Sequence, residues 1–352
     1  MSESTAHRPA ATCSSSVEPL PLLRVRGLCK HFPIFETGFR KKQTGLTRAV
    51  DDVNFDLMPG ETLGIVGESG SGKTTLARCI LRALMPTAGA VEFRHGAQFV
   101  DLARLPEREL RPLRQHMQMI FQDPFSSLNP RMTAGDIVAE PLVIHRLAKG
   151  SELLDRVERM LTMVGLKPEH RRRYPHSFSG GQRQRIGIAR ALIMNPSLIV
   201  ADEAVSALDV SVQAQVINLL RDLQEELRLT TIFVAHDLSV VEHLCDRVAV
   251  MYAGKVVELA STGQLFADPK HPYTQTLLSS VPSPDPDRRM SFDVVGEVAD
   301  PGQLPGGCSF HPRCGHCFTA CKNIAPHLLP LDDGLRLVSC HIHHAPPAEP
   351  RR

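Results

Sequence analysis

The stretch GESGSGKT, residues 67–74, has the spacing G-x-x-x-x-G-K-[ST]. Glycines at Gly67, Gly70 and Gly72 let the backbone curl so that several N–H groups point at one anion. Lys73 adds a cation for the outer phosphates of a nucleotide, and the Thr74 hydroxyl suits Mg²⁺. The whole turn, with Glu68, Ser69, Ser71 and Thr75, is therefore a candidate ATP cradle. A second stretch, SLIVADE, runs four apolar positions into Asp202 and Glu203. Asp202 suits the Mg²⁺ shell, and Glu203 suits the base that orients and deprotonates an attacking water.

Between these two stretches lies HSFSGGQRQRIGIARAL. Ser179, Gly180, Gly181 and Gln182 stand before a helical pattern, and the start of a helix offers N–H groups and a positive dipole end to a phosphate. One nucleotide does not need two such turns from one chain. The pair of turns points to two ATPase chains sandwiching ATP, each lending this turn to the other's site.

The elements that position these groups follow from the apolar pattern. PLLRVRGL reads as a strand, and RAVDDVNFDLMPGETLGIVG as two strands split by Pro59-Gly60. GKTTLARCILRALM changes to helical spacing, giving strand, glycine loop and helix in succession. DIVAEPLVIHRLA and ELLDRVERMLTMVGL have helical period. SLIVAD and TTIFVAHD are continuous apolar runs, as strands covered on both faces require. SVQAQVINLLRDLQEEL between them reads as an amphipathic helix, and RVAVMYAGKVVELAS as a hairpin turning at Ala253-Gly254. A short helix and a Pro-rich linker follow after about residue 265.

The ordered set of phosphate loop, Gln122, SGGQ, Asp-Glu, SALD and His236 resembles the ATP-binding subunits of ABC transporters over roughly 22–340. The resemblance implies an α/β fold: a P-loop ATPase core with an N-terminal antiparallel β subdomain and a helical subdomain. It implies that Gln122 contacts Mg²⁺ and water and senses membrane subunits. Asp209, closing SALD (206–209), lies across a dimer seam, His236 meets the γ-phosphate, and Phe32 stacks on adenine. Core packing is the other reading of Phe32. Two departures are Phe178, where leucine is commoner, and Ala204, where proline is usual. Neither removes a reacting group, so a competent ATPase is expected.

FQDPFSSLNPRMTAGDIVAEPL, ADEAVSALDVSVQAQVINLL and KHPYTQTLLSSVP resemble the oligopeptide/dipeptide importers, and their second, F-type, ATPase subunit in particular. That implies a second ATPase subunit as heterodimer partner, two permeases, an external peptide-binding protein, and a place on the cytoplasmic face of a bacterial inner membrane.

Five of the nine cysteines fall in the last forty-five residues. Cys308, Cys314, Cys321 and Cys340 have five, six and eighteen residues between them. The importer family often ends in cysteines of this spacing, understood to hold a [4Fe–4S] cluster. Cys317 is an extra thiol that could substitute, and Gly315 stands where the family has proline. Zn²⁺ is the rival occupant, with His311, His316, His341, His343 and His344 close by, and the absence of any metal is the third reading. Cys13, Cys29, Cys79 and Cys245 are scattered and read as packing or surface residues.

Boundaries follow: a leader over 1–20, an ATPase domain over 21–265 with its helical subdomain at about 124–180, a small Cys-rich C-terminal domain over 266–345, and a tail over 346–352. The formal net charge of +2 argues against a nucleic-acid coat. The N-terminus lacks the apolar core of a secretory signal, and no apolar run approaches the ~20 residues that span a bilayer. A cytoplasmic protein is expected. Its alternative function is a soluble ABC ATPase with a metal- or redox-sensing C-terminal module.

Overall fold

The computed structural model describes residues 20–35, 43–123, 126–280, 299, 302–331 and 334–344. Most of the expected leader, Cys13, the basic run Arg40-Lys41-Lys42, the linker after Ser280 and the tail lie outside the described residues.

Two sheets organise the chain. A four-stranded antiparallel sheet has the order β2-β1-β4-β5, from β1 (Leu23–Phe35), β2 (Gln43–Leu57), β4 (Ala88–His95) and β5 (Gln98–Asp101). The main sheet includes β3 (Thr62–Val66), β6 (Met117–Ile120), β7 (Leu198–Asp202), β8 (Thr230–Val234), β9 (Arg247–Tyr252) and β10 (Lys255–Ser261). It continues through β11 (Leu329–Leu331) and β12 (Arg336–Val338), in the order β11-β12-β10-β9-β3-β8-β7-β6. β9, β3, β8, β7 and β6 are parallel to their neighbours in that run, while β9 and β10 form the expected hairpin.

The parallel strands are mostly apolar, and β3 and β7 are buried at every position, because both faces are covered. Leu198 and Val200 of β7 pack with Leu63, Ile65, Ile232 and Val234 toward the antiparallel sheet and α1 (Lys73–Ile80). The alternate residues Ile199, Ala201 and Phe233 face the opposite core. Side chains alternate across a strand, so two cores need two interleaved apolar sets.

α2 (Glu107–Leu113) leads into β6. A helical layer then follows, from α3 (Ala134–Ile144) and α4 (Gly150–Met163) to the start of α5 (Gly180–Leu192). α3 opens on a capping box: the Asp136 N–H donates to Thr133 Oγ1 at 3.2 Å, and the Thr133 N–H donates to Asp136 Oδ2 at 3.3 Å. α6 (Val210–Leu227) connects β7 to β8, and α7 (Leu238–Leu244) follows β8. α8 (Thr262–Ala267), α9 (Pro272–Ser279) and α10 (Thr319–Asn323) belong to the C-terminal third. That third is tied to the main sheet, because β12 pairs antiparallel with β10. Among the described residues, no helix is long and apolar enough to cross a membrane.

Candidate functional site

The turn from β3 to α1 closes around its own lysine. Lys73 is buried, and its ammonium donates to the carbonyls of Gly67 at 2.7 Å and Glu68 at 2.9 Å. Burial lowers its pKa, and the carboxylates of Glu203, Asp202 and Glu68 oppose that shift. The turn requires glycine at two close approaches. At Gly72, φ is +102° and a Cβ would lie 1.9 Å from the Ala49 carbonyl oxygen. At Gly67, a Cβ would lie 2.2 Å from the Met251 carbonyl oxygen.

Strand order brings the acids to this turn, because β8 lies between β3 and β7 and all three end on the same side. The Thr74 hydroxyl donates to Asp202 Oδ1 at 2.9 Å. Asp202 is buried, and burial raises its pKa, while the Thr74 hydrogen bond and the charges of Arg78 and Lys73 pull it back. Glu203 follows at the strand end with φ +49°, a left-handed conformation that costs a non-glycine residue of order 1 kcal/mol. Its N–H donates to the Val234 carbonyl at 2.9 Å, and its own carbonyl accepts the Ser206 hydroxyl at 3.0 Å, so the turn is held from both ends. Gln122 Nε2 donates to Glu203 Oε2 at 2.7 Å, and His236 Nδ1 lies 3.7 Å from the same oxygen. Gln122, Glu203 and His236 thus meet at one carboxylate.

The Ser179 turn is finished differently. The Gln182 N–H donates to Ser179 Oγ at 3.4 Å, and the Ser179 N–H donates to Gln182 Oε1 at 3.1 Å. It contacts the turn around Asp209: a Cβ on Gly180 would meet Leu208 at 3.5 Å, and one on Gly181 would meet Val212 at 2.4 Å. Asp209 starts α6, with Val210 beside it 83% exposed. Phe32 is half-exposed on β1, with the Lys30 ammonium 4.9 Å from its ring centroid, so it is not a core residue. Phe178 is buried edge-on against His170, and Ala204 is buried.

Cys308, Cys314, Cys321 and Cys340 line one cavity, with His311 and His316 at its wall. Cys317 is not in that lining, and its thiol lies 3.8 Å from the Phe318 carbonyl. Burial, followed by the neighbouring thiols, pushes Cys308 up to about 11. Among the described residues, no three of these sulfurs and nearby imidazoles come within 4.8 Å of one another. Sulfurs on one tetrahedral Zn²⁺ stand about 3.8 Å apart, as Zn–S bonds of about 2.3 Å dictate. Among the described residues, Cys29, His31 and Asp51 do come so close, but Asp51 also faces Arg48 at 3.7 Å and Lys255 at 3.4 Å.

Two residues absent from the sequence reading hold the phosphate turn from outside. Arg313 pairs with both oxygens of Glu68, at 2.8 and 3.0 Å, and the Tyr273 hydroxyl accepts the Glu68 N–H at 2.8 Å. Their separation from Glu68, more than two hundred positions, leaves no local signal.

Comparison with known proteins finds the family described as ABC transporter matching residues 50–206, and the oligopeptide/dipeptide transporter C-terminal region matching 257–321. The chain is 52% identical to a probable peptide ABC transporter ATP-binding protein of Sinorhizobium fredii, over 91% of this chain and 90% of that one. It is 49% identical to the oligopeptide transport ATP-binding protein AppF of Bacillus subtilis, over 92% and 97%. Among solved structures it is similar to the ATP-binding cassette MJ0796 in a dimeric post-hydrolysis state bound to ADP and Pi. That match has TM-score 0.58 at 30% identity and covers 68% of this chain and 98% of that one.

Proposed function

The chain belongs to the ATP-binding proteins of peptide-importing ABC transporters and is an ATPase of that family, and on that footing we propose that it works as one half of a paired motor. It would hydrolyse ATP to drive uptake of dipeptides or oligopeptides through two permeases, fed by an external binding protein. Its partner would be a second, different ATPase subunit, and its place the cytoplasmic face of the inner membrane. The observation that carries this is the meeting of Gln122, Glu203 and His236 at one carboxylate oxygen, beside the Thr74–Asp202 pair.

A hydroxyl and a carboxylate 2.9 Å apart are a donor set for a hard cation. Thr74 and Asp202 would hold Mg²⁺, with Gln122 as a further ligand, and Mg²⁺ would neutralise charge on the transferred phosphate. Lys73 would exchange loop carbonyls for phosphate oxygens, whose negative charge offsets the burial that disfavours the ammonium. Glu203 orients the attacking water and takes its proton. Gln122 and His236, at 2.7 and 3.7 Å, fix where its carboxylate stands. Phe32, exposed on β1, offers an adenine its face. The Ser179–Gln182 turn and Asp209 would complete the partner's site.

For the cysteine cavity we favour a [4Fe–4S] cluster over zinc. The four thiols share one cavity, and a cluster would take one thiolate on each of its four metal atoms. Cys308, Cys314, Cys321 and Cys340 would ligate it.

The test is growth and peptide uptake in cells lacking this chain. Wild type should restore ATP-dependent uptake and Glu203→Gln should not. Restoration by both would overturn the reading.

A further inference from the structure

Glu68 is the second residue of the phosphate turn, and both of its polar ends are held from the C-terminal third. The Glu68 N–H donates to Tyr273 Oη at 2.8 Å, and its carboxylate takes two parallel bonds from Arg313 at 2.8 and 3.0 Å. The Arg313 side chain is 4% exposed, and Tyr273 is fully buried. A fork-on-carboxylate contact fixes direction as well as distance. The Glu68 side chain is 28% exposed, so it is loss of Glu68 that leaves a buried charge unpaired.

Arg313 is itself placed by the cysteine-lined turn. It directly precedes Cys314, and its guanidinium carbon lies 5.8 Å from the ring centroids of both Tyr252 and Phe310. The turn is closed by the Cys308 N–H donating to the Cys321 carbonyl at 2.8 Å. The His311 N–H and Arg313 N–H then donate to the carbonyls of Cys308 and Phe310, each at 3.0 Å. Any change in how Cys308 and Cys314 are held therefore shifts the root of the arginine that grips the nucleotide loop.

We propose that Arg313 is a positioning residue for the phosphate loop, and that through it the cysteine-lined turn sets nucleotide affinity. The proposal rests on the ATP-binding reading of the loop, and is independent of which metal the thiols hold. Coupling of this kind is reciprocal, so bound nucleotide also steadies the cysteine turn.

The test is equilibrium binding of mant-ADP to the full chain by anisotropy, beside steady-state ATP turnover and thermal melting. Arg313→Ala should raise the Kd about tenfold, with KM rising in step and kcat little changed, because the arginine touches the loop and not the reacting atoms. Arg313→Lys should recover part of the affinity, since it keeps the charge and loses the fork. Glu68→Gln should weaken binding similarly, and the double variant Arg313→Ala/Glu68→Gln should bind no worse than the weaker single. Cys314→Ser should raise the Kd as well, with no further loss when combined with Arg313→Ala. Should the alanine variant fail to fold, the lysine and glutamine variants carry the same comparison. An unchanged Kd in folded Arg313→Ala, or effects that multiply in the double variant, would overturn the clamp. An unchanged Kd in Cys314→Ser would overturn the link to the cysteines. Wild-type protein that binds no mant-ADP would overturn the ATP reading of the loop itself, and the clamp with it.

Discussion

At Gly67–Thr74 the chain builds a turn around a buried lysine, backs it with two strand-end acids, and braces it from Tyr273 and Arg313. At Ser179–Gln182 it builds a turn that closes only on itself, through Ser179 and Gln182, with its glycines against the Leu208–Val212 stretch. Both turns start helices and offer N–H groups to an anion. The first has a cation, a base and a metal-ligand pair at hand. The second offers the amides of a helix start and two glycines, with Ser179 and Gln182 capping each other. On the proposed reading, the difference separates two roles: the first turn would bind and react, and the second would meet the nucleotide held by another chain.

The largest effect that tests this contrast is at Glu203. Glu203→Gln should cut ATP turnover about 10³-fold, while the Kd for mant-ADP stays near the wild-type value, as loss of a general base predicts. Retained turnover would show that the carboxylate shared by Gln122 and His236 is not the base. Next in size is Ser179→Arg. Turnover of the paired assembly should fall about 100-fold through loss of a phosphate contact, while mant-ADP binding to the isolated chain is unmoved. Weakened binding in the isolated chain would mean the two turns serve one nucleotide, and the comparison would collapse.

The brace behind the first turn gives a pH signature. His271 is fully buried, and its ring accepts the Tyr273 N–H at 3.0 Å. Burial, with the His343 charge adding to it, lowers its pKa to about 3. The unfolded chain holds the ordinary value of about 6.5, so below that pH it binds a proton the folded state refuses. Stability from this group is present at neutral pH and is lost as pH falls from about 6.5 toward 3, by about 2 kcal/mol at pH 5. Melting of wild type against His271→Gln from pH 7 to pH 5 should show the step in wild type alone. Equal slopes would remove His271 as its source. The smallest effect is at the helical layer near the second turn. Thr133→Ala removes the α3 cap and should cost about 1 kcal/mol in denaturant unfolding without changing mant-ADP affinity. A changed affinity would mean that this layer acts on the first turn.

Much of this was legible in the sequence because the signals are local. GESGSGKT carries its conformation in its glycines, and the runs at 197–202 and 230–237 hold the strands β7 and β8, whose two faces are both buried. The four-stranded sheet was harder to read residue by residue. β4 and β5 are half-exposed strands, and they gain their order from pairing, β4 with β1 and β5 with β4, rather than from a continuous apolar run. The left-handed turn at Glu203 has no sequence mark, since glutamate does not favour it and tertiary bonds impose it. The C-terminal third reads in sequence as an appendage, yet β12 joins the main sheet and Arg313 reaches the phosphate turn. Contacts between residues so far apart in the chain leave no periodicity to find.

The central claim is that this chain supplies the reacting half of a paired peptide-import motor. It is tested most directly in vesicles that contain the two permeases and both ATPase subunits, with labelled peptide and binding protein on the outside. ATP inside should drive peptide accumulation, and that accumulation should vanish when this chain alone carries Glu203→Gln. Accumulation that continues unchanged with the variant would contradict the account.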